Sequence, residues 1–360
     1  MTSPGDLVKR PYGGSNRRAL NVGDILSRSG YTVETFGYAN LKPGLPPMTI
    51  LRSIPQWVRS LIHAIIRFKP DIVWLHYDRL GWLTASVLRV ISAKSYKIVF
   101  DACLASWEAK VSETKAAYIR FMLLRFLEIL GAADSEFLVA GSERTYRVLG
   151  RFSRNKLLRT NFILKQPAEF KQGYVRAKIG FRQEDFVLGV VGPFDSEFNR
   201  SCLAFLREHY SEFPENVKIL VIGKYDARDF ESDSRFVFVG PVNNYYDYLS
   251  VSNLGFVFRT VRTDGALNRI LEFMYQGVPV LINDIALESF ESRPPTPNEE
   301  VLCSSRDRLP DTIRLAVLNP VDLQAIASRG RKFVIKWHLT SGGEIENVIT
   351  QVLSGRRSAC

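Results

Sequence analysis

Short apolar runs alternate with amphipathic stretches along nearly the whole chain. Runs at 31–36, 71–75, 97–101, 137–140 and 161–164 are rich in β-branched, leucine and aromatic residues and predict strands. Between them, stretches at 15–28, 50–68, 81–92, 106–130 and 143–151 repeat apolar residues at three- and four-residue spacing and predict helices. Ser142 stands where the last of these needs an N-cap. The rhythm breaks over 166–184, which holds Pro167, Gly173 and Gly180, and then resumes. The second series predicts strands at 186–192, 217–223, 236–240, 254–258 and 278–282. Helices are predicted at 200–210, 245–250, 267–275, 307–318 and 320–333, with a closing helix at 343–353 and a basic tail.

A strand–helix alternation of this kind gives parallel sheets with helices on both faces, an α/β fold. Two successive series give two Rossmann-like, doubly wound domains. The predicted division is 1–166, a linker at 167–184, a second domain at 185–338, and 339–360 as a helix returning to the first domain plus the tail. Ligands in such sheets sit at the carboxyl ends of the strands. One element is short: only Asp6-Leu7-Val8-Lys9 precedes the Gly13-Gly14 loop where an opening strand belongs.

Composition is that of a globular protein, 46% hydrophobic and 24% charged. No run approaches the roughly 18 apolar residues of a membrane-spanning helix. The best candidate, 116–130, carries Arg120, Arg125 and Glu128. The first residues hold no apolar leader, so the expected location is the cytoplasm. Cys103, Cys202, Cys303 and Cys360 are scattered without CxxC spacing, which predicts free thiols in a reducing compartment. The four histidines are far apart and form no HExxH pattern, so no metal site is expected.

The net charge of +11 is unevenly placed. Residues 1–165 hold 25 Lys and Arg against 12 Asp and Glu; the remainder holds 23 against 25. A field of that sign attracts polyanions. No zinc-finger, RRM or homeodomain pattern supports nucleic acid, which leaves an anionic membrane face as the expected partner, met peripherally on its inner side. The stretch 106–130 mixes Trp107, Phe121, Leu123 and Phe126 with Lys110, Lys115, Arg120 and Arg125. Its spacing suits either a core-packed helix or a membrane-surface helix.

The chemistry-bearing segment runs from Arg262 to Val280. Its pattern predicts a strand ending at Phe258, a polar loop, a helix starting near Gly265, and a strand after Gly277-Val278-Pro279. The free N–H groups of Gly265, Ala266 and Leu267 would face a diphosphate, with Arg269 as an added cation. Asp264 and Glu272 can accept hydrogen bonds from sugar and ribose hydroxyls. Asp264-x7-Glu272, followed by Phe273-Met274-Tyr275-Gln276-Gly277-Val278-Pro279-Val280, resembles the E-x7-E region of family-4-type retaining glycosyltransferases, with Asp in place of the first Glu.

That resemblance implies the GT-B architecture, two Rossmann-like domains facing each other across a cleft. It implies transfer of a sugar from a nucleotide-diphosphate sugar to an acceptor hydroxyl with retention, in polysaccharide, glycolipid or other glycoconjugate synthesis. The sugar nucleotide is a co-substrate; no metal or other cofactor is expected. Asp264 would contact the donor sugar and Glu272 the ribose. The loop Gly192-Pro193-Phe194-Asp195-Ser196-Glu197-Phe198-Asn199-Arg200 matches the family's phosphate-gripping loop, with Pro193 where the first cation belongs, leaving Arg200 and Lys224 to grip the phosphates. Pro241 and Val242, after the strand at 236–240, would border the base. In the first half, Pro11-Tyr12-Gly13-Gly14-Ser15-Asn16-Arg17 resembles the family's P-x-G-G loop. His76 and Asp101 end their strands and would face a glycan or lipid-linked acceptor, with Asp101 a candidate base. Cys103 or Leu104 occupies the place where many relatives carry His. Two other functions share this architecture: a nucleotide-sugar 2-epimerase and a non-catalytic partner subunit.

Overall fold

The computed structural model describes residues 22–34, 58–59, 61–76, 79–91, 96–102, 115–158, 172–192, 194, 197–225, 234–242, 245–260, 267–291 and 293–354. The chain divides into two compact units, one of residues 1–163 with 340–360 and the other of 164–339.

In the first unit, α1 (22–28) and α2 (61–68) precede β1 (Ile72–His76). Then follow α3 (Arg79–Ile91), β2 (Lys97–Ala102), α4 (Lys115–Asp134), β3 (Phe137–Ala140), α5 (Glu143–Leu149) and β4 (Lys156–Leu158). The described strands pair in parallel in the order β1-β2-β3-β4. Ile98 to Ala102 and the whole of β3 are buried, as expected of strands covered on both faces. One face packs under Leu61 and Ile65 of α2, Trp82 and Ala85 of α3, Ala132 of α4 and Leu149 of α5. The other face meets Val22 and Leu26 of α1 and, late in the chain, Ile345, Val348, Ile349 and Val352. Ser142 caps α5 as expected, its Oγ accepting the Thr145 N–H at 3.1 Å.

Two expectations change here. Residues 31–34 form no strand, and 35–36 lie outside the described residues, as does the strand expected at 161–164. The described sheet also includes β4, which the pattern did not mark; its Lys-Leu-Leu run follows a turn held by Asn155, with Asn155 Nδ2 donating to the Glu136 carbonyl at 3.0 Å. The helix expected at 106–130 is described from Lys115 and continues to Asp134, because Ala132, fully buried, still packs on the sheet.

The second unit opens with α6 (Gln172–Ile179), followed by β5 (Phe186–Val191), α7 (Glu197–His209), a 3-10 turn (Tyr210–Glu212), β6 (Val217–Ile222) and β7 (Phe236–Gly240). The chain continues through α8 (Tyr245–Ser250), β8 (Leu254–Val257), α9 (Asn268–Tyr275), β9 (Val280–Ile282), α10 (Asp284–Glu288), β10 (Leu302–Cys303), α11 (Leu309–Leu318) and α12 (Pro320–Ser354). Its described strands are parallel in the order β10-β9-β8-β5-β6-β7. The chain steps outward from β5 to β7, returns to the other side of β5 as β8, and steps outward again. This is the Rossmann strand order, with its switch point between β5 and β8.

α6 lies in a stretch that the pattern reads as linker; its Val175 is buried while its low apolar content hides it from periodicity. The pattern divides 320–353 into two helices, 320–333 and 343–353, yet α12 is continuous from Pro320 to Ser354 through Gly342 and Gly343. Neither glycine takes a positive φ. The burial of Trp337 on one side and Ile345, Val348 and Ile349 on the other outweighs the roughly 1 kcal/mol that each helical glycine costs. α12 contributes residues 320–339 to the second unit and the rest to the first. No helix among the described residues is long and apolar enough to cross a membrane.

Candidate functional site

The carboxyl ends of β5 and β6 approach each other backbone to backbone. Gly192 N–H donates to the Ile222 carbonyl at 3.1 Å and Phe194 N–H to the Lys224 carbonyl at 2.7 Å. Gly223 has φ +131°, and a Cβ there would collide with the Gly192 carbonyl oxygen. Only glycine satisfies both conditions. A Cβ on Gly192 would in turn lie 2.8 Å from Asn199 Nδ2 and 3.3 Å from Arg269 Nη1. The bare backbone at the end of β5 is therefore where an amide from the first turn of α7 and a guanidinium from the first turn of α9 converge.

The end of β8 closes the other side of the switch point. Arg259 N–H donates to Asn283 Oδ1 at 3.0 Å, and Asn283 Nδ2 donates to the Arg259 carbonyl at 2.7 Å. The same Asn283 oxygen accepts the Ala286 N–H and caps α10, so one side chain fixes both the segment after β8 and the next helix. Ser201 Oγ and Thr260 Oγ1 share a 3.3 Å hydrogen bond, which ties α7 to that segment.

Two cations thus share one region. Burial, and then repulsion from Arg269, lower the Arg259 pKa from 12.5 to about 10. Cys202, fully enclosed on α7, feels both guanidiniums: burial pushes its thiol up while Arg269 and Arg259 pull the other way. A depressed arginine is still charged at neutral pH, so the region presents positive charge that would attract an anion.

Of the predicted donor-side residues, Arg269 sits at this point, half-buried. Arg200 follows Asn199 on α7 and is exposed. Lys224 reaches the site through its carbonyl, with its side chain exposed. Glu272, on α9, is 3% exposed. Leu267 is the N-cap of α9, so the described helix begins at Asn268, three residues after the expected start. Leucine offers no capping oxygen, and the helix takes its first side-chain packing from Ile270 onward. Pro241, exposed, and Val242, half-buried, follow β7. Asp264, Gly265, Ala266 and Pro193 lie outside the described residues, as do Gly13, Gly14, Asn16, Arg17 and Cys103 of the first half. Arg259 and Asn283 were not among the candidates. Their only sequence signal is position, each being the first or second residue beyond an apolar strand.

In the first unit the structure brings together two residues predicted separately. His76 and Asp101 are register partners at the carboxyl ends of β1 and β2. His76 Nδ1 lies 3.0 Å from Asp101 Oδ2, which also accepts the Trp74 indole N–H at 3.3 Å. Asp101 is fully buried and the His76 side chain 11% exposed. An ionised Asp101 accepts from both neighbours. The contact fixes the imidazole against the carboxylate through its Nδ1 edge. Among the described residues no group of three or more His, Cys, Asp or Glu side chains could hold a metal ion.

No protein-family model and no curated protein matches the sequence. Solved structures do match. A sucrose-phosphate synthase from Thermosynechococcus elongatus is 15% identical over 96% of this chain and 94% of its own, with a TM-score of 0.69. Anabaena HepE in complex with UDP and glucose is 13% identical over 97% of each chain, with a TM-score of 0.64. A Listeria monocytogenes protein provisionally described as a UDP-N-acetylglucosamine 2-epimerase is 13% identical over 99% of this chain and 95% of its own, at 0.59. At such identities the likeness shows the fold. Together with the two parallel-sheet units it identifies the GT-B fold.

Proposed function

We propose that the chain is a glycosyltransferase that moves a sugar from a nucleotide-diphosphate sugar to an acceptor hydroxyl, with the donor on the second unit. The observation that carries this reading is the pair Arg259 and Arg269 at the Rossmann switch point, beside the bare backbone of Gly192 and the first turn of α7. Fixed cations and helix N–H groups of this kind stabilise a departing diphosphate. Losing one such donor typically lowers turnover about 100- to 1,000-fold. Arg200 and Lys224 would reach the outer phosphate, Glu272 the ribose, and Pro241 and Val242 the base. Asp264 would hold the sugar, and the N–H groups of Gly265, Ala266 and Leu267 the diphosphate. Charge stabilisation falls to these side chains in this reading, without a metal ion or other cofactor.

The first unit would bind a glycan or lipid-linked acceptor, with Asn16, Arg17, His76 and Cys103 near it, while Gly13 and Gly14 would face the donor. The resemblance to family-4-type enzymes favours retention of the anomeric configuration. The His76–Asp101 pair favours a second reading. An imidazole held by a buried carboxylate can take the acceptor proton, which suits a single in-line displacement and inversion. The anomer of the product, read by NMR, separates the two.

The test is a thermal-shift screen with UDP-, GDP-, ADP- and dTDP-sugars, run on the wild type and on Arg269→Ala. UDP-glucose comes first, because HepE, a structural neighbour, was captured with UDP and glucose. One nucleotide should stabilise the wild type by about 2.7 kcal/mol at 100 times its dissociation constant and leave the variant almost unmoved. Stabilisation by none, or equally of both proteins, would sink the reading. Epimerisation of UDP-N-acetylglucosamine without an acceptor would assign the chain to the epimerase chemistry instead. Nucleotide binding with no turnover in the presence of acceptors would mark a non-catalytic subunit.

A further inference from the structure

One helical layer of the first unit is dressed in an unusual way. α2, α3, α4 and α5 share a single core against one face of the sheet. On α3, Trp82, Ser86 and Arg89 turn toward the end of α4. Trp82 Nε1 donates to Asp134 at 3.0 Å, Ser86 Oγ donates to the same carboxylate, and Arg89 pairs with it at 2.9 Å. One position further round α3, at the same spacing, Leu83, Val87 and Val90 stand in solvent, Val90 being 80% exposed. α4 does likewise with Met122, Leu123 and Phe126, the last two more than half exposed. Side chains of this size, recurring on one face of two adjoining helices, mark a surface that meets something apolar.

The charges on the same layer have one sign. Among its described residues, the exposed charged side chains of α2 and α5, with residue 59 just before α2, are Arg59, Arg67, Arg144 and Arg147. No described carboxylate on these four helices stands exposed. Glu128 is buried, Asp134 is held by Arg89, and Glu143 is half-buried in the first turn of α5. At the end of α2, Phe68 is exposed beneath the stacked Arg67 guanidinium, 5.3 Å from the ring centroid. Apolar side chains and arginines exposed on one helical layer match an acyl-chain boundary flanked by phosphate headgroups.

We propose that this helical layer rests on an anionic lipid surface, with Leu83, Val87, Val90, Met122, Leu123 and Phe126 entering the headgroup region and the arginines on the lipid phosphates. A second copy of the chain is the poorer occupant, since the same cationic face would meet itself. The excess of 25 basic over 12 acidic residues in 1–165 adds long-range attraction to the membrane.

Flotation with phosphatidylcholine vesicles, with and without phosphatidylserine, tests this without nucleotide or acceptor, so its outcome is independent of the transferase reading. The wild type should partition onto the anionic vesicles at least about tenfold more strongly, and less so as salt is raised. The double variant Leu123→Asp with Phe126→Asp, both at exposed positions, should keep its thermal transition and lose the binding. Arg59→Glu with Arg147→Glu should weaken it and reduce its salt dependence. Equal partition onto both vesicles, no partition, or binding unchanged in the aspartate variant would overturn the proposal. So would tighter binding to duplex DNA than to the vesicles, or self-association that the aspartate variant abolishes.

Discussion

At the scale of single residues, the most informative feature is a charge kept where it is disfavoured. The folded pKa of Arg259 is lowered, so its folded form holds its proton less tightly than the unfolded chain does. The cost is therefore fully present below about pH 10 and fades as pH rises through that value, which leaves it intact at neutral pH. Arg259→Met keeps much of the volume and removes the charge. It should abolish nucleotide-induced stabilisation, measured by thermal shift at pH 7, while the ligand-free variant still unfolds in one cooperative transition. A variant that still responds to nucleotide as the wild type does would contradict the role given to this arginine. Legibility at this scale follows local pattern. Arg269 was visible because it lies inside a motif. His76 and Asp101 were each visible as strand ends, but their 3.0 Å contact depends on a register between segments 25 residues apart. Arg259 carried no motif, and what distinguishes it, burial beside a second guanidinium, exists only after folding.

At the scale of elements, α12 separates what glycine costs a helix from what it permits. Gly343 is exposed, and a Cβ there would meet nothing within 4 Å. A Cβ on Gly330 would lie 2.6 Å from the Glu300 carbonyl oxygen and 3.2 Å from the Met274 methyl. Gly343→Ala should therefore stabilise the protein by about 0.5–1 kcal/mol, and Gly330→Ala should destabilise it, both read from the urea midpoint. If both substitutions stabilise, the approach of α12 to the 300 region is looser than described. Ser142→Ala supplies a matched comparison, costing about 1 kcal/mol through the lost cap of α5. The same contrast explains what the chain's pattern revealed. Strands β3 and β7 match their expected bounds because a continuous apolar run between turn residues has one reading. α12 was read as two helices with a gap at 334–342, and its continuity comes from residues buried on either side of the glycine pair. α6 was missed for the opposite reason, having too few apolar positions to produce a period.

At the scale of the whole molecule, two parallel sheets were legible from strand–helix alternation, but the strand order was not, because nothing local says that β8 returns to the far side of β5. That return creates the switch point, and with it the convergence of Gly192, Asn199, Arg259 and Arg269. It also dictates where a ligand should be felt. A nucleoside diphosphate held there bridges the start of α7 to the segment joining β8 and α9, elements far apart in sequence and adjacent only through the sheet. Hydrogen exchange with saturating nucleotide diphosphate should therefore slow most in peptides covering 189–205 and 256–275. Peptides covering β1 and β2, around His76 and Asp101, should be unchanged without an acceptor. Ligand binding to the native state alone slows every exchange event that requires the second unit to open, by about 100-fold at 100 times the dissociation constant, so β5 and β6 in that unit's centre should slow as well. Protection confined to the first unit would mean that the nucleotide binds elsewhere. The role given to Arg259 and Arg269 would then fall.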